Sequence, residues 1–185
     1  MYPGILFSAK PSKNQRDKQA LFIQLTATKL SDLDGTRKEQ AFQQVVAWAE
    51  KEWGYLECFT EKYRQDIDDH DDRFYIVYYQ KVMAGMFCLY TDIYPREPDA
   101  LKLDYLYVHP LLRSLGVGSK IIDLVKQKAQ EDFNATAVNL ETIHLSLNKF
   151  YCNQGAQVLC DETHHAHYSN DTEVHVPTSI LQFPF

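Results

Sequence analysis

The chain has 185 residues, is 45% hydrophobic and 24% charged, and carries a net charge of -6. That length suits one domain with a sizeable core, and an aromatic share of 13% argues against disorder. The acidic balance supplies no basic footprint for nucleic acid, and no apolar run approaches the ~20 residues that span a bilayer.

Residues 1–19 form a polar, lysine-bearing lead-in that is expected to be loosely ordered in part. With Pro3 and Gly4 and no charged start ahead of an apolar run, it does not read as a signal peptide, so the chain is expected in the cytoplasm, away from membranes. Cys58, Cys88, Cys152 and Cys160 show neither CxxC nor zinc-site spacing and read as reduced, buried thiols.

Ala20 to Leu30 is apolar and β-branched and predicts a first strand, closed by the turn Ser31 to Gly35. Thr36 with Glu39 three residues on matches a capping box. Phe42, Val45, Val46, Ala49 and Trp53 then fall on one helical face, predicting a helix over 37–53. A second short helix is expected over 56–65. The acidic run Asp66 to Asp72 resembles a cation site in composition, but like charges repel and no glycine provides a calcium-loop turn, so it reads as a solvated loop.

Phe74 to Tyr79 and Val82 to Thr91 predict a hairpin across Gln80-Lys81, a turn without glycine. A proline-bearing loop, Tyr94 to Pro98, follows. Leu101, Leu103, Tyr105 and Tyr107 alternate with Lys102, Asp104, Leu106 and Val108, giving another strand. After His109-Pro110 comes a helix with the stripe Ile121, Ile122, Val125 and Ala129. A strand over 135–143 and a short helix over 146–154 are next, and Gly155 suits the left-handed position beyond that helix. Two late strands, 157–160 and 173–183, enclose a polar turn at 164–171. Helices set among strands in this order imply a mixed sheet with helices on its faces.

Between the strand at 101–108 and the next helix lies Arg113-Ser114-Leu115-Gly116-Val117-Gly118, an R-x-x-G-x-G sequence. The first N–H groups of a helix have no partner within it, and the helix dipole leaves positive charge there. A phosphate satisfies both needs. Gly116 and Gly118 would let backbone N–H groups approach such an anion. Arg113 could bind phosphate oxygens in a bidentate way, and Ser119 could add a hydroxyl. The segment is neither a Rossmann fingerprint nor a P-loop. His164, His165, His167 and Asp161 match no standard zinc spacing, and no metal is expected.

Leu103 to Pro110, then Arg113 to Gly118 and Ser119-Lys120-Ile121-Ile122, resembles the signature segment of the GNAT acetyltransferase superfamily. About 30 residues on, Leu140-Glu141-Thr142 followed by Asn148 to Ala156 resembles that family's second landmark, a strand leading to a helix with an aromatic-Tyr-x-x-x-Gly ending. The match covers about residues 101–160. It implies a single acetyl-CoA-binding α/β domain over 1–185, with a central mixed, mostly antiparallel twisted sheet of about seven strands and helices on both faces. Leu101 to Glu131 would dock the cofactor.

In that resemblance, backbone groups of Leu106, Tyr107 and Val108 would bond the pantetheine arm, and those of Arg113, Ser114, Leu115, Gly116, Val117 and Gly118 the pyrophosphate. Tyr151 would be the general acid, since a phenol of pKa about 10 can protonate a thiolate of pKa about 8.5. The family commonly has Asn seven residues before the tyrosine; here that position is His144, which could bond the pantetheine arm or act as a base. Asp104 and Glu141 are the candidate general bases. The activity implied is transfer of an acetyl group from acetyl-CoA to a primary amine, on a small molecule or a peptide, by a monomer or homodimer. A different acyl donor or acceptor, or coenzyme A binding without catalysis, are the alternatives.

Overall fold

The computed structural model describes residues 24–54, 60–91, 98–167 and 173–185, with backbone alone at 60–61, 161–167 and 173–176. Seven strands form one sheet: β1 (Leu25–Lys29), β2 (Phe74–Tyr79), β3 (Val82–Thr91), β4 (Ala100–Val108), β5 (Ala137–Thr142), β6 (Gln157–His167) and β7 (Glu173–Pro184), in the spatial order β1-β2-β3-β4-β5-β7-β6. Every neighbouring pair is antiparallel except β4 and β5. The helices are α1 (Gly35–Trp53), α2 (Thr60–Asp69), α3 (Val117–Phe133) and α4 (Asn148–Asn153).

The sheet separates two apolar clusters. Val45, Val46, Trp48 and Ala49 of α1 and Tyr63 and Ile67 of α2 pack with Phe74, Ile76, Met86, Cys88 and Tyr107 on one face. Ile121, Ile122, Val125 and Ala129 of α3 and Tyr151 of α4 pack with Phe87, Leu103, Leu140, Leu181 and Phe183 on the other. All four residues of the expected α3 stripe are fully buried. The expected α/β architecture, a mostly antiparallel mixed sheet of seven strands with helices on both faces, is what the chain adopts.

Several boundaries move. The first strand starts at Leu25, and Leu30 opens a short 3-10 turn; the lead-in up to residue 23 lies outside the described residues. Helix α1 begins at Gly35 behind Asp34, so Thr36 and Glu39 sit inside its first turns. Glu39 instead accepts a hydrogen bond from Gln43 Nε2 at 2.7 Å, and no capping box forms. The hairpin at Gln80-Lys81 does form, with Gln80 left-handed at φ 57° in place of a glycine. Strand β6 runs to His167 and pairs with β7 as far as His167↔Glu173, so 164–167 belong to a ladder, not a turn. The side chains of the histidines there, like Cys58 and the loop at 94–97, lie outside the described residues. Of the described cysteines Cys88 is buried, whereas Cys152 is exposed and Cys160 half-buried.

Asparagine and glycine close the helices that frame the site. Asn134 ends α3 in the left-handed region at φ 52°, and Gly155 does so beyond α4 at φ 93°, as expected for that glycine. No helix among the described residues is long and apolar enough to cross a membrane.

Candidate active site

Strands β4 and β5 pair in parallel only from Ala100↔Ala137 to Leu103↔Leu140. Beyond that row β4 stays with β3 as far as Val108, and β5 stays with β7 as far as Thr142. The two strands part, and a wedge opens between 104–108 and 141–142.

A bulge in β4 lies at the mouth of this wedge. Asp104 faces Cys88, but Tyr107 faces Met86, so Tyr105 and Leu106 together oppose Phe87. Tyr105 takes φ 51°, a left-handed conformation that bulky residues rarely adopt. The strict alternation expected for 101–108 therefore breaks. Asp104 and Tyr105 both lie on the α1/α2 face, and Tyr107 follows them there while Leu106 and Val108 pack toward α3.

The bulge also settles where backbone groups point. His109 N–H donates to the Ala84 carbonyl at 2.8 Å. By antiparallel alternation, Tyr107, opposite Met86, turns its own groups toward β3, and Val108 turns its groups toward the wedge. The Val108 carbonyl accepts from Arg113 Nε at 2.9 Å. Val108 N–H thus faces the wedge, whereas the Tyr107 backbone is directed to the neighbouring strand.

Below the wedge, the turn into α3 has Ser114 at φ 67° and Gly116 at φ 79°. The first α-helical bond is Lys120 N–H to the Gly116 carbonyl, at 3.4 Å. The N–H groups of Val117, Gly118 and Ser119 precede it and have no partner within the helix. Left-handed turns that gather such groups make anion-binding concavities. A Cβ on Gly118 would lie 3.3 Å from Phe150 Cζ, so the start of α3 is pressed against α4. The loop fits a pyrophosphate through its backbone.

Arg113 does something other than reach for phosphate. Its guanidinium bonds Glu52 of α1 through Nη2 at 3.1 Å and lies 5.2 Å from the centre of the Tyr107 ring, which itself stacks on Trp48 at 4.9 Å. It staples α1 to β4. Burial, with the positive charges of Arg113 and Lys51, holds the His109 pKa below its usual value, and its Nδ1 accepts from Leu111 N–H at 3.3 Å.

The candidate bases come together on the α1/α2 face. Lys102 Nζ lies 3.6 Å from Glu141 Oε2 and 3.9 Å from Asp104 Oδ2, linking carboxylates on the two parting strands. Asp104 Oδ1 accepts from the Tyr105 N–H at 2.9 Å. Half of the Asp104 side-chain surface remains open, yet protein crowds the rest of the carboxylate. That desolvation pushes its pKa above the ordinary value; Lys102 and the Tyr105 N–H oppose the rise, and Glu141 and Asp66 add to it. A carboxylate with a raised pKa holds a proton more readily than an ordinary aspartate.

Tyr151 lies on the opposite face, buried with Leu103, Leu140 and Val117, and its ring meets Phe150 edge-on at 5.2 Å. Desolvation alone pushes its pKa to about 12. His144 is exposed, and its backbone N–H bonds Thr142 Oγ1 at 3.1 Å. Asn148, in the first turn of α4, donates through Nδ2 to Ser179 Oγ of β7 at 2.7 Å, and its Oδ1 is buried without a partner.

Sequence reasoning missed the neighbours that organise these groups. Asp66, read as part of a solvated loop, lies on α2, and its Oδ2 accepts from both Tyr90 and Tyr105 hydroxyls at 2.6 Å. The signal available was its position within an amphipathic helical period, which composition masked. Lys102 was legible as a charge on the same pleat as Asp104; Glu52, distant in sequence, carried no signal.

The model of the acetyltransferase (GNAT) family matches residues 42–155, more than half of the chain. Among solved structures, Escherichia coli ElaA superposes with a TM-score of 0.61 at 17% identity, covering 87% of this chain and 99% of that one. A chain of the NatC complex, solved with Gag peptide and CoA, gives 0.64 at 18% identity, covering 88% and 99%. Aminoglycoside 6'-acetyltransferase type Ii gives 0.62 at 11% identity, covering 88% and 97%. At these identities the likeness is one of fold. No curated protein sequence matches the chain.

Proposed function

Since the chain belongs to the GNAT acetyltransferase family, we propose that it is an N-acetyltransferase whose acceptor is a primary amine on a small molecule or a peptide. The observation that carries this reading is the wedge between β4 and β5, with an anion-binding turn at its foot, carboxylates on one face and a buried phenol on the other. In this reading the whole chain, 1–185, is one cytoplasmic acyl-CoA-binding domain. Acetyl-CoA, when bound, supplies the acetyl group as an activated thioester.

The backbone of 114–119 holds the pyrophosphate, and Val108 N–H, facing the wedge, bonds the pantetheine arm. Asp104, with its raised pKa, takes a proton from the acceptor ammonium directly or through water, and Glu141 draws the cationic amine to the wedge. Tyr151 donates its proton to the departing sulfur. Asn148 Oδ1, rather than exposed His144, is the acceptor placed to receive a buried N–H donor. Arg113 contributes by fixing Tyr107 and Val108.

The direct test is release of coenzyme A thiol from acetyl-CoA against a panel of small-molecule and peptide amines, with acetyl-, succinyl- and longer acyl-CoAs compared by thermal shift, since a bound ligand stabilises by mass action. Turnover with at least one amine, and protection strongest with acetyl-CoA, is expected. Protection without turnover on any amine would favour a coenzyme A-binding protein that does not catalyse.

Lys102 gives a sharper prediction. Its charge holds the Asp104 pKa down, so Lys102→Met lets that pKa rise further. A general base works only when deprotonated, so the acidic limb of kcat/KM moves to higher pH in Lys102→Met and stays in place in Lys102→Arg. An unmoved limb in Lys102→Met would remove Asp104 from the role.

A further inference from the structure

The structure assigns Asp66 a positioning role: through the Tyr105 hydroxyl it holds the bulge in β4 that sets the mouth of the wedge. The role rests on the acyl-transfer reading above, because the wedge matters only if an acyl carrier enters it. Tyr105 is at φ 51°, and something must keep a bulky aromatic in that region. Its ring is packed on several sides, with Phe74 at 4.9 Å, Trp53 at 5.6 Å and Tyr63 at 6.1 Å between ring centres. Its hydroxyl donates to Asp66 Oδ2 at 2.6 Å.

Asp66 is itself fixed. Its helix is locked to α1 by the Tyr63 hydroxyl, which donates to the Trp53 carbonyl at 2.9 Å. His70 Nδ1 lies 3.2 Å from the second carboxylate oxygen. The Tyr90 hydroxyl, on β3, donates to the same Oδ2 at 2.6 Å. One carboxylate thereby ties the bulge of β4 to the neighbouring strand β3. If β4 relaxed to a regular strand without losing a residue, one of its halves would slip by one position and reverse its faces. Either Asp104 would leave the face of Glu141, or Val108 would turn its N–H away from the wedge.

The two tyrosines make the test, since Tyr90→Phe and Tyr105→Phe each remove one hydroxyl from the same oxygen at the same distance. If Asp66 only stabilises the fold, the two variants behave alike. As a positioning residue, it makes them differ: urea midpoints fall similarly, but coenzyme A affinity by calorimetry falls about tenfold in Tyr105→Phe and stays near the parent value in Tyr90→Phe. Asp66→Asn, which keeps an acceptor oxygen, is expected to lie between the parent and Asp66→Leu. Equal effects of the two tyrosine variants on coenzyme A affinity would overturn the role. If the parent protein bound no coenzyme A, the acyl-transfer reading would fall instead. The clamp itself would then be judged by crystal structures, in which Tyr105 φ stays positive in Tyr90→Phe and turns negative in Asp66→Leu; a positive φ in Asp66→Leu would sink it.

Discussion

Tyr151→Phe is expected to fold as the parent does, to bind coenzyme A with unchanged affinity and to lose about 10²-fold or more in kcat. Tyr151 belongs to an apolar cluster, and desolvation alone moves its pKa, with no hydrogen bond or nearby charge contributing. Removing it leaves no buried partner unsatisfied, so stability should hold or rise slightly. Its pKa of about 12 has a kinetic consequence. Against a free thiolate of pKa about 8.5, proton transfer from such a phenol is uphill by about 5 kcal/mol. The transfer becomes easier only as the same apolar wall raises the thiolate's own proton affinity. Tyr151 therefore keeps its proton throughout the working range and contributes no alkaline limb to the pH profile. Full turnover in Tyr151→Phe, measured by thiol release, would remove it from the acid role.

Gly85→Val is expected to be severe in the opposite way, losing about 3 kcal/mol or more of stability. Valine is favoured in strands, and on propensity alone the change at the centre of β3 would help. The geometry reverses that sign. A Cβ at Gly85 would overlap the Tyr107 carbonyl oxygen and come within 3.1 Å of Ile121 Cδ1. The first obstacle is backbone of the neighbouring strand, which cannot swing aside. The second belongs to a fully buried residue of α3. Urea unfolding measures the loss, and a midpoint equal to that of the parent would contradict this account. Gly85→Ala should show a smaller part of the same effect.

How much of this was visible in the sequence depends on whether a feature was local. The stripe of Ile121, Ile122, Val125 and Ala129 announced α3 because helical period and burial coincide there. The turn at Ser114 to Gly116 was legible because glycine marks a backbone that needs the left-handed region. The bulge was not, since Tyr105 is neither glycine nor asparagine and the apolar alternation continues formally through it. Its conformation is imposed by contacts from Trp53, Tyr63 and Asp66, which are 39 or more residues away. Arg113 reads from the sequence as a phosphate ligand, whereas its partner in the fold is Glu52, 61 residues distant. In the run Asp66 to Asp72 composition signals a solvated loop, whereas helical phase turns its first residue inward. Asp66 faces the sheet, while Asp71 pairs with Lys38 and Asp72 lies beside Arg73.

The bulge has a corollary in terms of insertions and deletions. Removing Tyr105 would let Leu106 pair with Phe87, with Cys88↔Asp104 on one side and Met86↔Tyr107 on the other left intact. Every remaining side chain of β4 would keep its face, because the extra residue is the one that interrupts the alternation. Deleting Lys102, Leu103 or Tyr107 would instead shift a ladder and turn core residues outward. Residue 105 is thus one that the sheet could do without. The ladder would be complete without it, so the kink is held from outside the sheet, by Trp53, Tyr63 and Asp66.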